Sequence, residues 1–271
     1  MRCGAPLALR RVLLAPRYDL PTMDVAAYLA RIGLDAAPSL DVAGLETLQR
    51  AHLTQVPFEN LDVYHRRGVS TDPVRSIAKI VERGRGGWCF ELNGGFASLL
   101  AALGFAVTRL GATVLLNGPT SDPEPSHATI RVDLDHPYLV DVGFGDSFIR
   151  PLRLDDDGPQ NGGTGQFSFS RDDDQITLRH LADDRWMDQY RFTLDPVTPA
   201  DLDPANEFLQ TSPTTHFTTK PFATRLIDGG PDRVTLVHDR LKMRSDGVWA
   251  EWPVTPDEWP AVLTEWFGLT P

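Results

Sequence analysis

Cysteine and lysine are scarce in this chain of 271 residues. Two cysteines, Cys3 and Cys89, exclude a disulfide scaffold and a cysteine-rich zinc site. Lysine occurs only at positions 79, 220 and 242 among 26 basic residues, and no dense Lys/Arg block is visible. With a formal charge of −11, the chain repels nucleic acid and anionic lipid unless a local basic patch intervenes, so neither is an expected partner. No apolar run approaches the roughly 18 residues of a membrane helix. No repeat period is visible either. What is present is a globular composition, 41% hydrophobic, on a chain long enough for one to three domains.

The first 22 residues, MRCGAPLALRRVLLAPRYDLPT, differ from the rest. They are Arg-rich, and their apolar pieces are too short for a signal-peptide core. No long apolar region follows the Arg10–Arg11 pair, so a twin-arginine signal is not expected. Residues 1–22 read as a leader or start-site extension ahead of a domain beginning near Met23. A cytoplasmic location follows, and a free cysteine beside a reactive one also suits a reducing compartment.

From Met23 to about Gly104 the apolar residues recur at helical spacing. MDVAAYLARIG and VAGLETLQRAHLTQVP are two such stretches. DPVRSIAKIVERG is a third, with Asp72 as N-cap and Pro73 at the first helical position. A fourth helix runs from near Cys89 to Leu103, closed by Gly104. Beyond Phe105 the period becomes two. FAVTRLGATVLL, SHATIRVDL, YLVDVGF, FSFSR, QITLRHL and DRWMDQYRFTL read as strands, with acidic Gly-rich loops between them. A short helix (PADLDPANEFLQ), a strand pair (VTLVHDRLKMRS) and a closing helix (PDEWPAVLTEWFG) follow. This order predicts an α+β protein with segregated layers.

The chemistry concentrates in RGRGGWCFELNGGF, residues 83–96. Glycines before the cysteine allow a sharp turn and a close backbone approach. A helix that starts at Cys89 aims its N–H groups and positive dipole end at the sulfur, which favours a thiolate there. This stretch alone leaves a nucleophile and a buried structural cysteine as equal readings. His127 opens the strand SHATIRVDL, where an imidazole could take the thiol proton. Asp141 lies in YLVDVGF, an apolar strand that rarely carries a carboxylate without a partner. If the two strands form a hairpin, Asp141 can accept from His127 and fix its tautomer. Each residue alone has an ordinary structural explanation; together they read as a catalytic triad of nucleophile, base and orienting acid.

These segments resemble the arylamine N-acetyltransferase family. The resemblance covers roughly 250 residues and rests on VPFENLDV, RGRGGWCFELNGG, the SH before the strand at His127, VDVGFG and LQTSPTTHFTTKPFATR. It implies a helical bundle over residues 23–108 carrying the nucleophile, a β-barrel over 109–205 carrying His127 and Asp141, and an α/β lid over 206–271. The scaffold is shared with papain-like and transglutaminase-like enzymes. It implies Cys89 as the acetyl carrier, acetyl coenzyme A as donor and no metal. The acceptor would be an arylamine or arylhydrazine, as in xenobiotic metabolism. Phe58, Phe144 and Phe148 match substrate-facing aromatics, while Gly145, Thr214 and His216 match positions near the coenzyme. The chain departs from the family at the acidic SDPEPS before His127, and at Asp146, where some relatives carry a basic residue.

Arg85 is expected to pair with Glu59 or Glu91 and hold the glycine loop, and Phe90 to pack in the core. Lys220 and Arg225 are candidate contacts for a phosphate. The same site would also serve an amide synthase that releases a polyketide by macrolactam closure, or a transglutaminase-like thiol hydrolase. Nothing in the chain indicates an oligomeric state.

Overall fold

The computed structural model describes residues 23–116, 118 and 122–270. The leader, Cys3 and their expected roles lie outside the described residues. The helical part contains α1 (Val25–Arg31), α2 (Val42–Gln55), α3 (Leu61–Tyr64), α4 (Pro73–Ile77) and α5 (Cys89–Leu103). The Asp72 carboxylate accepts from the Val74 N–H and Pro73 occupies the first turn, as their order predicts. At Ala78 the helix widens into a π turn through Glu82, and this turn carries the buried Lys79. Nearly every residue of α5 is buried, because α1, α2 and α4 cover one side and a sheet covers the other.

That sheet is a nearly closed barrel. Its strands are β2 (Ala106–Val114), β3 (His127–Asp133), β4 (Pro137–Val140), β5 (Leu152–Arg153), β6 (Gln160–Asn161), β7 (Gln166–Asp172), β8 (Gln175–Ala182) and β9 (Arg185–Pro196), in the order β5-β4-β3-β2-β9-β8-β7-β6. The seam between the two edge strands is closed by Gln160, whose side-chain amide bonds the Arg153 backbone at 2.8 and 2.9 Å, and by the Ile149 N–H on the Gly162 carbonyl at 2.7 Å. Strand β3 is buried on both faces. Ile130 and Val132 join the helical core, while His127 and Thr129 point to the barrel side with Leu139 and Tyr190.

After β9 come α6 (Pro199–Thr211) and α7 (His216–Thr219), then strands β10 (Phe222–Leu226), β11 (Arg233–Val237), β12 (Arg240–Ser245) and β13 (Val248–Pro253), and helix α8 (Trp259–Phe267). The last four strands form an antiparallel sheet whose other edge is β1 (Phe58–Glu59), supplied by the helical part. Helix α8 packs on one face of this sheet over Val234, Leu236 and Leu241. The expected strands and long helices are present. The boundary expected at 108/109 falls inside β2, and that at 205/206 falls inside α6. Strand β4 stops at Val140, so Asp141 stands just beyond the strand end instead of within it. Strand β6 lies in a stretch expected to be loop.

Candidate active site

Cys89 is the first residue of α5 and is 5% exposed. The chain reaches it through Gly86 and Gly87. A side chain at 86 would overlap the Pro57 carbonyl oxygen, so only glycine permits this close pass of two backbones. Behind the loop lies a buried charge network. Lys79 Nζ donates to both oxygens of Glu91 at 3.0 Å and pairs with Asp62 at 2.8 Å. Arg85 pairs with Glu59 at 2.7 Å and with Asp62 at 3.2 Å. The expected Arg85–Glu59 pair is therefore present, while the partner of Glu91 is Lys79. Burial pushes the Glu91 carboxyl up to about 7, although Lys79 draws it down. Glu91 also accepts the Trp88 N–H at 3.2 Å, which closes the first turn of the helix that begins with the cysteine.

His127 and Asp141 meet at the barrel end. His127 Nε2 lies 2.7 Å from Asp141 Oδ2. Cys89 also acts on the ring and raises its pKa, and with Nε2 held by the carboxylate, Nδ1 is the ring nitrogen left for the sulfur. Burial opposes charge on the ring, yet the Asp141 carboxylate and the Cys89 contact prevail and hold its pKa at about 10. Burial likewise opposes charge on Asp141. His127, the Asn93 amide and the Gly143 N–H outweigh it and keep the carboxyl below the usual range.

All four main acceptor directions of Asp141 are used. Oδ1 accepts from Asn93 Nδ2 at 2.9 Å and Gly143 N at 2.8 Å. Oδ2 takes the His127 ring and the Tyr190 hydroxyl, the latter at 3.2 Å. Gln49 Nε2 donates to the Asp141 carbonyl at 3.2 Å. Asn93 also reaches the Ala128 carbonyl at 2.6 Å and accepts from Val142 N at 3.0 Å, so one amide joins α5, β3 and the turn after β4. Gly143 lies so close over Cys89 that a Cβ there would sit 2.8 Å from the Cys89 Cα.

The expected aromatic residues separate. Phe144 is half-buried, with its ring 5.3 Å from His127 and 5.1 Å from Tyr190. Phe58 is half-buried among the residues around Cys89, and its ring lies 5.3 Å from Phe222. Phe148 is different. It is 2% exposed inside the barrel, and its ring packs against Phe167 at 5.8 Å. Phe90 is 1% exposed and packs edge-on to Trp88, as core packing requires.

Gly145 sits in the turn after Asp141 with Phe58 beside it. Thr214 and His216 are exposed. Phe217 anchors their segment, with its ring 5.3 Å from Trp88 and 4.0 Å from His216. Arg225 is not free for a phosphate. Its guanidinium donates to the Trp266 and Thr54 carbonyls on the α8 side of the lid sheet. Asp146 is held by a two-pronged contact with Arg244 at 2.8 and 2.9 Å, which ties the barrel turn to β12.

Sequence reasoning missed Tyr190, Asn93 and Gln49 as partners of Asp141, and Phe217 and Phe222 as neighbours of the site. Asn93 lies within the ELNGG stretch, two residues after Glu91, and its type and place on the helix were the available signal. Tyr190 gave no signal, since an alternating strand tyrosine reads as core.

A helical layer, a barrel and a lid meet around a buried row of cysteine, histidine and aspartate, an arrangement of the acyl-transferring α+β class. The family profile described as N-acetyltransferase matches residues 41–270. The chain is 36% identical over 204 residues to the arylamine N-acetyltransferase of Mycolicibacterium smegmatis, covering 73% of this chain and 74% of that one. It is 33% identical over 247 residues to the Escherichia coli K12 enzyme of the same name, covering 89% and 87%. In structure it is similar to the arylamine N-acetyltransferase of Salmonella typhimurium, with a TM-score of 0.86, 30% identity and 90% of each chain covered. The Mycobacterium marinum enzyme in complex with CoA gives a TM-score of 0.83 at 30% identity, over 90% of this chain and 92% of that one. The chain belongs to the arylamine N-acetyltransferase family and is an acyltransferase. No helix among the described residues is long and apolar enough to cross a membrane.

Proposed function

We propose that this chain moves an acetyl group from acetyl coenzyme A to an arylamine or arylhydrazine through a thioester on Cys89. The observation that carries the reading is the buried His127–Asp141 hydrogen bond, with the buried Cys89 at the start of α5 acting on the same imidazole. In the first half-reaction the Cys89 thiolate attacks the thioester carbonyl, a C–S bond forms, and the old C–S bond breaks. The departing coenzyme thiolate takes its proton from the His127 imidazolium. One thioester replaces another, so little driving force is needed.

In the second half the amine nitrogen attacks the acetyl carbon. Arylamines are weak bases and arrive neutral, with the lone pair available. His127 accepts the nitrogen proton as the C–N bond forms, and the Cys89 thiolate leaves, restoring the ion pair. Asp141 keeps Nε2 protonated, so Nδ1 faces the sulfur for both transfers. The Cys89 N–H at the start of α5 is assigned to the developing oxyanion. Phe58 and Phe144 are assigned to the acceptor ring. Gly145, Thr214 and His216 are assigned to the coenzyme, in keeping with the coenzyme-bound relative. The scheme is ping-pong.

The test is mass spectrometry of the intact chain after incubation with acetyl coenzyme A. One acetyl group should appear on Cys89 and should disappear on addition of aniline or phenylhydrazine with formation of the amide. An adduct elsewhere, or one that aniline leaves in place, would overturn the scheme.

A further inference from the structure

We propose that a second cavity, built from α3, the lid sheet and α8, is a binding site for a small, flat organic anion such as an aryl carboxylate. The cavity holds about 460 Å³, within the roughly 300–1,000 Å³ of ordinary small-molecule sites. Leu61, Val254, Pro256, Trp259 and Leu263 give it apolar walls. The Trp259 indole is fixed, since its Nε1 donates to the His238 carbonyl at 2.6 Å. A rigid indole face beside proline and leucine suits an aromatic ring.

The charged groups decide the sign of the ligand. Arg67 and Arg85 both line the cavity. Arg85 gives its two terminal nitrogens to Glu59 and Asp62, but its Nε is buried and has no hydrogen-bond partner. Arg67 is 53% exposed and has one loose contact, to Asp62 at 3.6 Å. Glu59 and Asp62 stand behind the arginines and are not among the lining residues. The acid that does line the cavity, Asp239, pairs with His238 at 3.4 Å and with Arg240 at 3.8 Å. A carboxylate entering the cavity would draw in Arg67, whose guanidinium is exposed and only loosely held. A cation would meet two guanidinium groups, and a neutral ring would gain nothing from Arg67.

The cavity borders the charge network behind the glycine loop, with which it shares Arg85. None of its lining residues hydrogen-bonds Cys89, His127 or Asp141.

The experiment is calorimetric titration of the full chain with naphthalene carboxylate, before and after Cys89 is alkylated with iodoacetamide. One equivalent should bind with a dissociation constant of about a millimolar or tighter for a fragment of this size, and alkylation should leave it unchanged. Arg67→Glu reverses an exposed charge and should keep the circular dichroism of the parent. It should weaken the carboxylate by about fivefold or more, while neutral naphthalene methanol binds parent and variant alike. Trp259→Ala should weaken both compounds. The proposal is overturned by any of four results: no saturable binding to the parent, equal carboxylate binding by Arg67→Glu, equal binding by Trp259→Ala, or loss of binding when Cys89 is alkylated.

Discussion

Replacing Asp141 by asparagine tests the proposed chemistry at its least conspicuous member. The substitution conserves shape but not hydrogen-bond polarity. Oδ1 faces two donors, Asn93 Nδ2 and Gly143 N, and Oδ2 faces the His127 ring and the Tyr190 hydroxyl. An NH2 group on either side therefore meets donors. The His127 side is the one that can adjust, by moving the ring proton from Nε2 to Nδ1. Nδ1–H would then face the sulfur, where a base is needed.

The charge is lost as well. His127 is held at about 10 by Asp141 and Cys89 against burial, which lowers it. Without the carboxylate the ring falls to its ordinary 6.5 or below. One pKa unit is about 1.4 kcal/mol, so the fall from about 10 to 6.5 weakens the ion pair by on the order of 5 kcal/mol. Part of that is recovered by relaxation of a coupled pair, and a drop of about 10²–10³ in the rate of Cys89 acetylation is expected. Rapid quench and mass spectrometry of the acetyl adduct measure it, with thermal melting to show that the fold survives. A variant within tenfold of the parent rate would refute the assigned role of Asp141.

Other perturbations test neighbouring parts of the argument. Cys89→Ser should give no acetylated protein, and a normal adduct by mass spectrometry would remove Cys89 from the scheme. Gly143→Ala places a Cβ 2.7 Å from Asn93 Nδ2 and 2.8 Å from Cys89 Cα; it should cost about 1–3 kcal/mol in urea unfolding and slow alkylation of Cys89, and parent-like values of both would show the turn to be looser than described. Lys79→Met leaves Glu91 buried without its cation and Asp62 with its arginine partners only and should cost about 3–5 kcal/mol, a loss that denaturant titration would contradict if it found under about 1 kcal/mol. His127 has a folded pKa of about 10 against an ordinary 6.5, so its contribution to stability is full below 6.5 and is lost as pH rises through 10. Urea midpoints should fall across that window, and fall less in His127→Gln; parallel slopes would contradict the raised pKa.

Long periodic elements were legible from residues alone. Helices α2 and α5 and strands β2, β3 and β9 carry enough apolar residues for a period to show. The shorter elements were not. A strand of two residues such as β1 has no period, and only its pairing with β10 makes it a strand. The meeting of His127 and Asp141 was legible because a carboxylate in an apolar strand calls for a partner, although each residue alone has an ordinary explanation. Which way the Phe148 ring turns was not readable from the sequence, and here Phe167 receives it. The buried acids near the glycine loop were expected to need partners, yet which cation served which acid was not readable. Lys79 reaches them from a π turn, and sequence spacing does not reveal such a turn.

Strand register explains why these three side chains meet at all. Strand β3 pairs with β4 so that Ile130 faces Val140. Continued by one pair, that register sets Thr129 opposite Asp141. His127 is then a diagonal neighbour of Asp141 on the same face, within side-chain reach. The opposite face, with Ile130, Val132, Val140 and Val142, is the one that α5 covers. Cys89 can join His127 and Asp141 only at the sheet end, where α5 begins and the Gly143 backbone crosses above it. A slip of one residue between β3 and β4 would turn the carboxylate into the apolar helical core and a valine toward the imidazole. That arrangement buries an unpaired charge, so the demand of Asp141 for His127, Asn93 and Tyr190 helps to select the hairpin register, and the same contacts fix the imidazole in place.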